Sequence, residues 1–177
     1  MEKMKNRITG AELLTSSPTC HKPMLADGSL LSDERVLALS WKQPFASAML
    51  VGKVETRSWN TNYRGLVLIC SSQKGYNRNQ LIDISGVELI EKIYTKVPFS
   101  LLYPRFQFAC SAAIGIARLV DCRQMTIEDE EQTFVKFNPN LYCHFYEDVR
   151  KIQPFFWKGC QGWKELSDDV KASIVFV

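Results

Sequence analysis

Short apolar runs separated by polar or glycine-containing segments dominate the chain after residue 35. Compact apolar runs are typical of buried strands, and they occur at 36–40, 66–70 and 112–120. In the last run Gly115 permits a bulge or a close backbone approach. Two other segments show the alternation of a strand, in which successive side chains face opposite sides: one is 54–59 and the other is 142–152, which is expected to end at Pro154. About five or six strands with two or three intervening helices predict an α+β domain, a small and mostly antiparallel β-barrel with helices packed around it.

The helical signals are fewer and shorter. A helix is predicted directly after Pro44, because proline favours the first helical position and Gly52 provides a natural end. A second helix is predicted at about 87–96, where apolar residues recur three and four positions apart. Thr126 is followed by acidic residues, which predicts a third, short helix by capping.

The first 34 residues differ from the rest of the chain. They are rich in Ser, Thr, Lys and Asp with weak periodicity, so we expect residues 1–34 to form a partly mobile tail; the alternative is one short helix near 9–14. Residues 35–177 are then one domain, with a core that begins at Val36. The chain shows neither an apolar run of about 18–20 residues nor an apolar leader, so we expect no membrane contact and a cytoplasmic location.

Composition adds little to the functional picture. Against 22 basic residues stand 19 acidic ones, and a net charge of +3 does not indicate nucleic-acid binding without a clustered basic face. The six cysteines form no C-x-x-C pair and are expected to be reduced. The Cys20-His21 and Cys143-His144 pairs offer one ligand each at most, because neighbours on a strand face opposite sides. We therefore expect no metal and no cofactor.

The most unusual segment is the strand at 54–59, whose one face is charged and aromatic together. Glu55, Arg57 and Trp59 alternate onto that face. Arg57 can hold a phosphate or a carbonyl, and Glu55 can accept from a base amino group. The alternative is an ordinary ion pair on the barrel wall.

Other aromatic and basic residues lie in or beside predicted turns, where aromatic rings can stack on splayed bases and cations can attract a nucleic-acid backbone. The aromatic candidates are Trp41, Trp59 and Tyr63, and the basic ones are Lys42, Arg64 and Lys158. The alternatives are packing of the rings in the core or rim, and scattered surface charge. Trp163, in the closing glycine-punctuated loop, is the aromatic residue best explained by packing.

A succession of motifs resembles the ASCH domain family, which is related to the PUA superfamily of RNA-binding barrels. The motifs are Ser40-x-x-Gln43-Pro44, Glu55-x-Arg57-Ser58-Trp59 and Tyr63-Arg64-Gly65, and the match extends from about Val36 to Leu166. The resemblance implies a curved barrel with a cleft between the Gln-Pro turn and the Glu-x-Arg strand. It also implies binding of RNA or modified nucleosides, and it adds Ser40 and Gln43 to the candidate residues.

Some members of that family are hydrolases. One branch removes the acetyl group of N4-acetylcytidine with a lysine, a threonine and a glutamate, and another cleaves RNA. This chain departs from that pattern, because Gly52 stands where the family has its lysine and Glu55 where the hydrolase branch has threonine. Lys53 comes one position later, and one step along a strand turns a side chain to the other face. We therefore expect a solvated Lys53, and we expect Ser40 to cap the following helix.

These observations favour a module that binds RNA or a modified nucleoside in a charged and aromatic cleft. Two alternatives stay open. One is a hydrolase of an acylated nucleoside or of RNA, with Lys53 and Glu55 as its catalytic residues; the other is a protein–protein adaptor. The orientation of Lys53 tests the hydrolase alternative, because a lysine that points away from Glu55 excludes the lysine-based mechanism. The sequence leaves both catalysis and oligomeric state open.

Overall fold

A computed structural model describes residues 31–96, 102–103, 107–159 and 161–177 of the chain. The strands are β1 (Val36–Trp41), β2 (Glu55–Arg57), β3 (Gly65–Ser71), β4 (Leu102–Tyr103), β5 (Gln107–Phe108), β6 (Ala112–Gln124), β7 (Tyr142–Phe156) and β8 (Lys164–Glu165). The helices are α1 (Phe45–Met49), α2 (Arg78–Lys96), α3 (Glu130–Thr133) and α4 (Asp168–Ala172), with 3-10 turns at Leu31–Asp33 and Ile127–Asp129. The helix predicted near 9–14 and the Cys20-His21 pair lie outside the described residues.

Six strands form one sheet in the order β2-β7-β6-β3-β1-β8, and β4 pairs with β5. β1 and β3 are parallel, while the other pairs of the large sheet are antiparallel. The predicted α+β class and its mostly antiparallel barrel-like sheet are therefore confirmed. In the described part of the chain β2 and β8 are edge strands, so the sheet is a curled half-barrel.

The two parallel strands are buried along nearly their whole length, as their continuous apolar runs predicted. Their side chains alternate between two core clusters on opposite faces of the sheet. Val36 and Ala38 belong to one cluster, while Leu39 and Trp41 belong to the other. β1 ends at Trp41, and the candidate site described below lies at this carboxyl end of the strand.

The packed part of the chain begins before Val36. Leu31 is completely buried and belongs to the first core cluster. Lys171 in α4 donates hydrogen bonds to the carbonyl oxygens of Ser32 and Glu34, at 3.2 Å each. The last residues of the predicted tail are thus held against the domain by one apolar and two polar contacts.

Gly115 allows α1 to lie close to the sheet. The pairing of β6 with β7 shifts register between Ala113 and Gly115, which confirms the predicted bulge. A Cβ at Gly115 would lie 2.5 Å from Leu50 Cδ2 and 2.9 Å from the Arg150 carbonyl oxygen. β7 does not end at Pro154 as the sequence suggested, because that proline lies opposite the register shift and has no ladder partner there.

The helix expected at 87–96 is longer than predicted, since α2 begins at Arg78 and kinks at Gly86, where φ is +77°. A reciprocal cap starts it. Gln80 N donates to Asn77 Oδ1 at 2.9 Å, and Asn77 N donates to Gln80 Oε1 at 3.0 Å. The helix predicted at Thr126 is confirmed. Among the described helices none is long and apolar enough to cross a membrane.

Candidate ligand-binding site

Two adjoining cavities open at the carboxyl end of β1. The larger, which we call the main cavity, measures about 770 Å³ and is bounded by β1, β2, α2 and the segment 135–141. The second, the side groove, measures about 670 Å³. Both are lined by Ser40, Lys42, Ser72 and Gln161, so they are continuous at that wall.

Three charged side chains form a row at the floor of the main cavity. Lys53 Nζ lies 3.0 Å from Glu55 Oε2 and also donates to the Val54 carbonyl oxygen at 2.9 Å. The other carboxylate oxygen, Oε1, lies 3.1 Å from Arg57 Nε. Glu55 and Arg57 line the main cavity, whereas Lys53 lies behind them with a fully buried side chain. The expected solvated Lys53 is therefore wrong.

The turn between α1 and β2 explains the position of Lys53. Gly52 adopts a φ of +87°, and Lys53 N donates back to the Ala48 carbonyl oxygen at 3.1 Å. Lys53 thus precedes β2, so the alternation of a strand does not set its direction. Its ammonium group lies 4.8 Å from the centre of the Phe45 ring in α1. The helix and the strand together enclose the lysine beneath Glu55.

Burial dominates the electrostatics of this lysine. Desolvation lowers the pKa of Lys53, and nearby Arg57 lowers it further, while the charge and hydrogen bond of Glu55 oppose the shift. At 3.0 Å, Lys53 Nζ and Glu55 Oε2 form a hydrogen-bonded ion pair, so each group influences the charge of the other. The orientation that would have excluded the lysine-based mechanism is not found.

Arg57 is held in place from several sides. Its Nη2 donates to the Ser40 carbonyl oxygen at 3.0 Å, and its guanidinium carbon lies 5.3 Å from the centre of the Trp41 ring. Together with Glu55 at Nε, these contacts fix the plane of the group. Its remaining nitrogen, Nη1, makes no hydrogen bond to any residue in the described ranges. Arg57 therefore presents an oriented donor at the cavity wall.

Ser40 and Gln43, the two residues of the Ser-x-x-Gln-Pro motif, have different roles. Gln43 Oε1 accepts from Ser47 N at 3.0 Å, and its Nε2 donates to the Ala109 carbonyl oxygen at 2.7 Å. Gln43 rather than Ser40 thus satisfies the start of α1, because Ser40 is still within β1 and too far back to cap. The predicted Ser40 cap is wrong. Its buried Oγ has no hydrogen-bond partner within the described structure, and it lines both cavities.

Three other candidates line neither cavity. Trp59 and Tyr63 pack against Trp163, each with ring centres 5.5 Å apart, and Tyr63 also donates to the Leu66 carbonyl oxygen at 2.8 Å. Arg64 lies 3.2 Å from Asp121 on the surface. These contacts favour the packing alternative for the two rings and the surface-charge alternative for Arg64, and Trp163 packs inward as expected.

The basic candidates Lys42 and Lys158 both reach the cavities. Lys42 is exposed, lines both, and holds its ammonium group 4.8 Å from the centre of the Tyr76 ring. Lys158 lines the side groove. Residues that sequence reasoning missed complete the walls: Tyr76, Asp83 and Phe137 in the main cavity, and Lys74 and Phe156 in the side groove.

His144 lies behind the row of charges, paired with Glu55 across β2 and β7. Its Nε2 lies 3.2 Å from the Trp59 carbonyl oxygen, while Nδ1 is buried without a partner in the described chain. Burial lowers the pKa of His144. Cys143 packs with Val54 and Met125 instead, so the two neighbours do face opposite sides. No three His, Cys, Asp or Glu side chains gather into a metal site among the described residues.

Comparison with known proteins returns solved structures alone. No protein-family model matches the chain, and no curated protein matches it. An ASCH protein of Zymomonas mobilis is similar at 14% identity, with 77% of this chain and 92% of that chain covered and a TM-score of 0.46. A tyrosine-to-phenylalanine mutant of it is similar at 13% identity, with 78% and 98% covered and a TM-score of 0.48.

Proposed function

We propose that the chain binds RNA or a modified nucleoside in the main cavity. The observation that carries the proposal is the anchored guanidinium of Arg57, fixed by Glu55 and the Ser40 carbonyl oxygen in a cavity of about 770 Å³. Arg57 donates from Nη1 to a phosphate or base carbonyl oxygen. Glu55 accepts a hydrogen bond from an amino group on the base edge.

Aromatic walls support the same proposal. Phe137 is 40% exposed and Tyr76 is half-buried, so both offer ring surface to a ligand in the main cavity. Trp41 is 2% exposed and stiffens Arg57 instead of stacking on a base. Stacking of a base on a protein ring contributes about 1–3 kcal/mol, and it tolerates modified bases because every base has a flat face. Lys42 adds attraction for phosphate at the rim.

Binding is tested with fluorescence-labelled short RNAs of mixed sequence and with unlabelled nucleosides as competitors. We expect Arg57→Ala to weaken RNA binding about 10- to 100-fold, since a hydrogen bond to a charged group contributes about 1.5–3 kcal/mol. Arg35→Ala is the matched control, because Arg35 is an exposed arginine that pairs with Glu165 away from both cavities. Equal loss in the two variants, or binding independent of salt, would contradict the proposal.

A second candidate is a hydrolase of an acylated nucleoside, and the 3.0 Å contact between Lys53 and Glu55 favours it. In this reaction Glu55 takes a proton from a water that adds to the acyl carbon. The bond from that carbon to the base nitrogen then breaks, and the nitrogen leaves with the proton that Glu55 took from the water, which restores the carboxylate. Lys53 does not line the cavity, so its part is to position the Glu55 carboxylate.

Acetate release from N4-acetylcytidine tests this second candidate. Glu55→Gln keeps the shape of the side chain and an oxygen that accepts a hydrogen bond but removes the base, so turnover should fall about 100-fold or more while RNA binding should weaken far less. Glu88→Gln is the matched control, because Glu88 is an exposed glutamate of α2 that lines neither cavity. Absence of turnover in the wild type would leave binding alone, and absence of both turnover and retention would move the assignment to a protein–protein adaptor.

A further inference from the structure

The side groove has a one-sided charge. Among the described residues its lining includes three lysines, Lys42, Lys74 and Lys158, and no aspartate or glutamate. None of the three forms an ion pair within the described ranges, whereas Lys53 and Lys171 do. Within the part of the chain that the structure describes, the positive charge of this groove is therefore not compensated by an ion pair.

Such a cluster is unexpected in a chain with 22 basic and 19 acidic residues, where random placement would intersperse the two signs. Three like charges around one groove repel one another and destabilise the fold slightly. An anion in the groove removes that repulsion, and lysine is a common point-charge contact for phosphate.

Uncharged groups in the same groove fit phosphate oxygens as well. The Ser40 hydroxyl is buried without a partner in the described structure, and the Ser72 and Ser111 side chains also line the groove. Gly159 keeps this wall open, because a Cβ there would come within 3.3 Å of Ser40 Oγ. Hydroxyl donors beside ammonium groups are the usual contacts of a nucleic-acid backbone.

An exposed ring completes the groove. Phe156 is 78% exposed, although it ends a strand in which Cys143 and Ile152 are buried and Phe155 is partly buried. Lone exposed apolar residues are common on protein surfaces, but this one lies beside three lysines that form no ion pair with the described residues. A flat apolar ring beside a cationic track is the arrangement that binds single-stranded nucleic acid.

We infer that the natural ligand is a single-stranded nucleic acid rather than a free nucleoside. Its phosphodiester backbone follows the side groove, a base next to the recognised one stacks on Phe156, and the recognised base enters the main cavity. The shared wall at Ser40, Lys42, Ser72 and Gln161 makes one continuous path for this strand. The inference rests on the proposed function and specifies its ligand class.

The test compares a labelled five-nucleotide RNA of mixed sequence with the four free nucleosides. The double variant Lys74→Ala/Lys158→Ala should bind the RNA about 10- to 100-fold more weakly and leave nucleoside binding unchanged. Lys92→Ala/Lys96→Ala removes the same charge from exposed positions of α2 and should change neither. For three phosphate contacts on a single strand, a fourfold rise in salt should weaken wild-type RNA binding about 20-fold, and less in the groove variant.

Phe156→Ala adds an uncharged readout, with an expected loss of about 5- to 100-fold for the RNA and none for nucleosides. If Arg57→Ala weakens RNA binding while the groove variant does not, the inference fails and the proposed function stands. If the groove variant alone loses RNA, the base site is wrong and the backbone path stands. The inference is overturned if polyglutamate displaces the labelled RNA as well as unlabelled RNA does, or if nucleosides bind as tightly as the RNA. A DNA strand of the same sequence shows whether the 2′-hydroxyl contributes.

Discussion

The floor of the main cavity and the lysines of the side groove, which we call the rim, are similar in side-chain type but opposite in burial and pairing. At the floor, Lys53, Glu55 and Arg57 are buried or nearly so, and each is held by at least one of the others. At the rim, Lys74 and Lys158 are exposed and lack ion pairs within the described chain. Lysine alone does not define a role, since its surroundings decide whether the group orients or attracts.

This difference separates two kinds of contribution to binding. A buried and partnered charge keeps one direction, so it can define which ligand fits, but it contributes to folding as well. An exposed charge has little effect on stability and acts mainly on attraction of an opposite charge, which salt weakens. Substitutions at the floor should therefore change stability and specificity together, whereas substitutions at the rim should change affinity alone.

The largest expected effect comes from comparing Lys53→Met with Lys42→Met. Loss of the Lys53 ammonium group leaves the Glu55 carboxylate buried with Arg57 alone, so unfolding should become easier by about 3 kcal/mol. The same substitution at exposed Lys42 should change the free energy of unfolding by less than about 0.5 kcal/mol. Urea denaturation of the two variants measures both values.

Equal stabilities would show that Lys53 is not an integral part of the floor. A further variant, Lys53→Met with Glu55→Leu, separates the loss of the ion pair from the cost of burying a methionine at position 53. It removes both members of the pair, and it should be more stable than the sum of the two single substitutions predicts, because both single substitutions break the same ion pair and the double variant leaves neither Lys53 nor Glu55 buried without the other.

Gln43→Ala should have the next largest effect, a loss of about 1–2 kcal/mol in stability. It removes the acceptor for Ser47 N and the donor to the Ala109 carbonyl oxygen, both in buried surroundings. Thermal unfolding measures the loss. Nucleoside affinity should fall less than in Arg57→Ala, since Gln43 lines neither cavity; a larger fall would make Gln43 a direct ligand contact.

Much of the fold could be predicted because burial leaves a direct trace in the sequence. The apolar runs of β1 and β3 marked the two buried strands, and Gly115 marked the bulge. The first half of α2 was missed although Asn77 and Gln80 have the spacing of a reciprocal cap. Its apolar residues are sparse, so periodicity alone could not detect it.

The site was predictable only where its residues are close in sequence. The spacing of Glu55 and Arg57 placed them on one face, as observed. The contribution of Lys74 and Tyr76 depends on the parallel pairing of β1 with β3, which brings the segment after β3 beside the segment after β1. Pairing direction is not encoded in either apolar run, so these residues had no local signal.

A smaller effect at the floor concerns acid. Burial lowers the pKa of His144, and protonation would add a proton at Nδ1, which has no acceptor in the described chain. As pH falls below about 6.5, His144 becomes protonated in the unfolded chain but stays neutral in the native protein. Stability therefore decreases with falling pH until the lower native pKa of His144 is reached. Urea unfolding at a series of pH values should show this slope, and His144→Gln should reduce it. An unchanged slope would assign the acid sensitivity to other groups.

The smallest expected effect has the opposite sign and concerns the rim. Lys74→Ala/Lys158→Ala removes two of three neighbouring positive charges, so the free energy of unfolding should increase by a few tenths of a kcal/mol at low salt. The increase should disappear near 1 M salt, where the Debye length falls to about 3 Å. Lys92→Ala/Lys96→Ala is the matched control and should not gain stability, because Lys92 pairs with Glu131. If the Lys74→Ala/Lys158→Ala variant loses stability, these lysines contribute to the fold. If it gains stability, the two charges lower the stability of the wild type, as expected for residues that serve a binding surface.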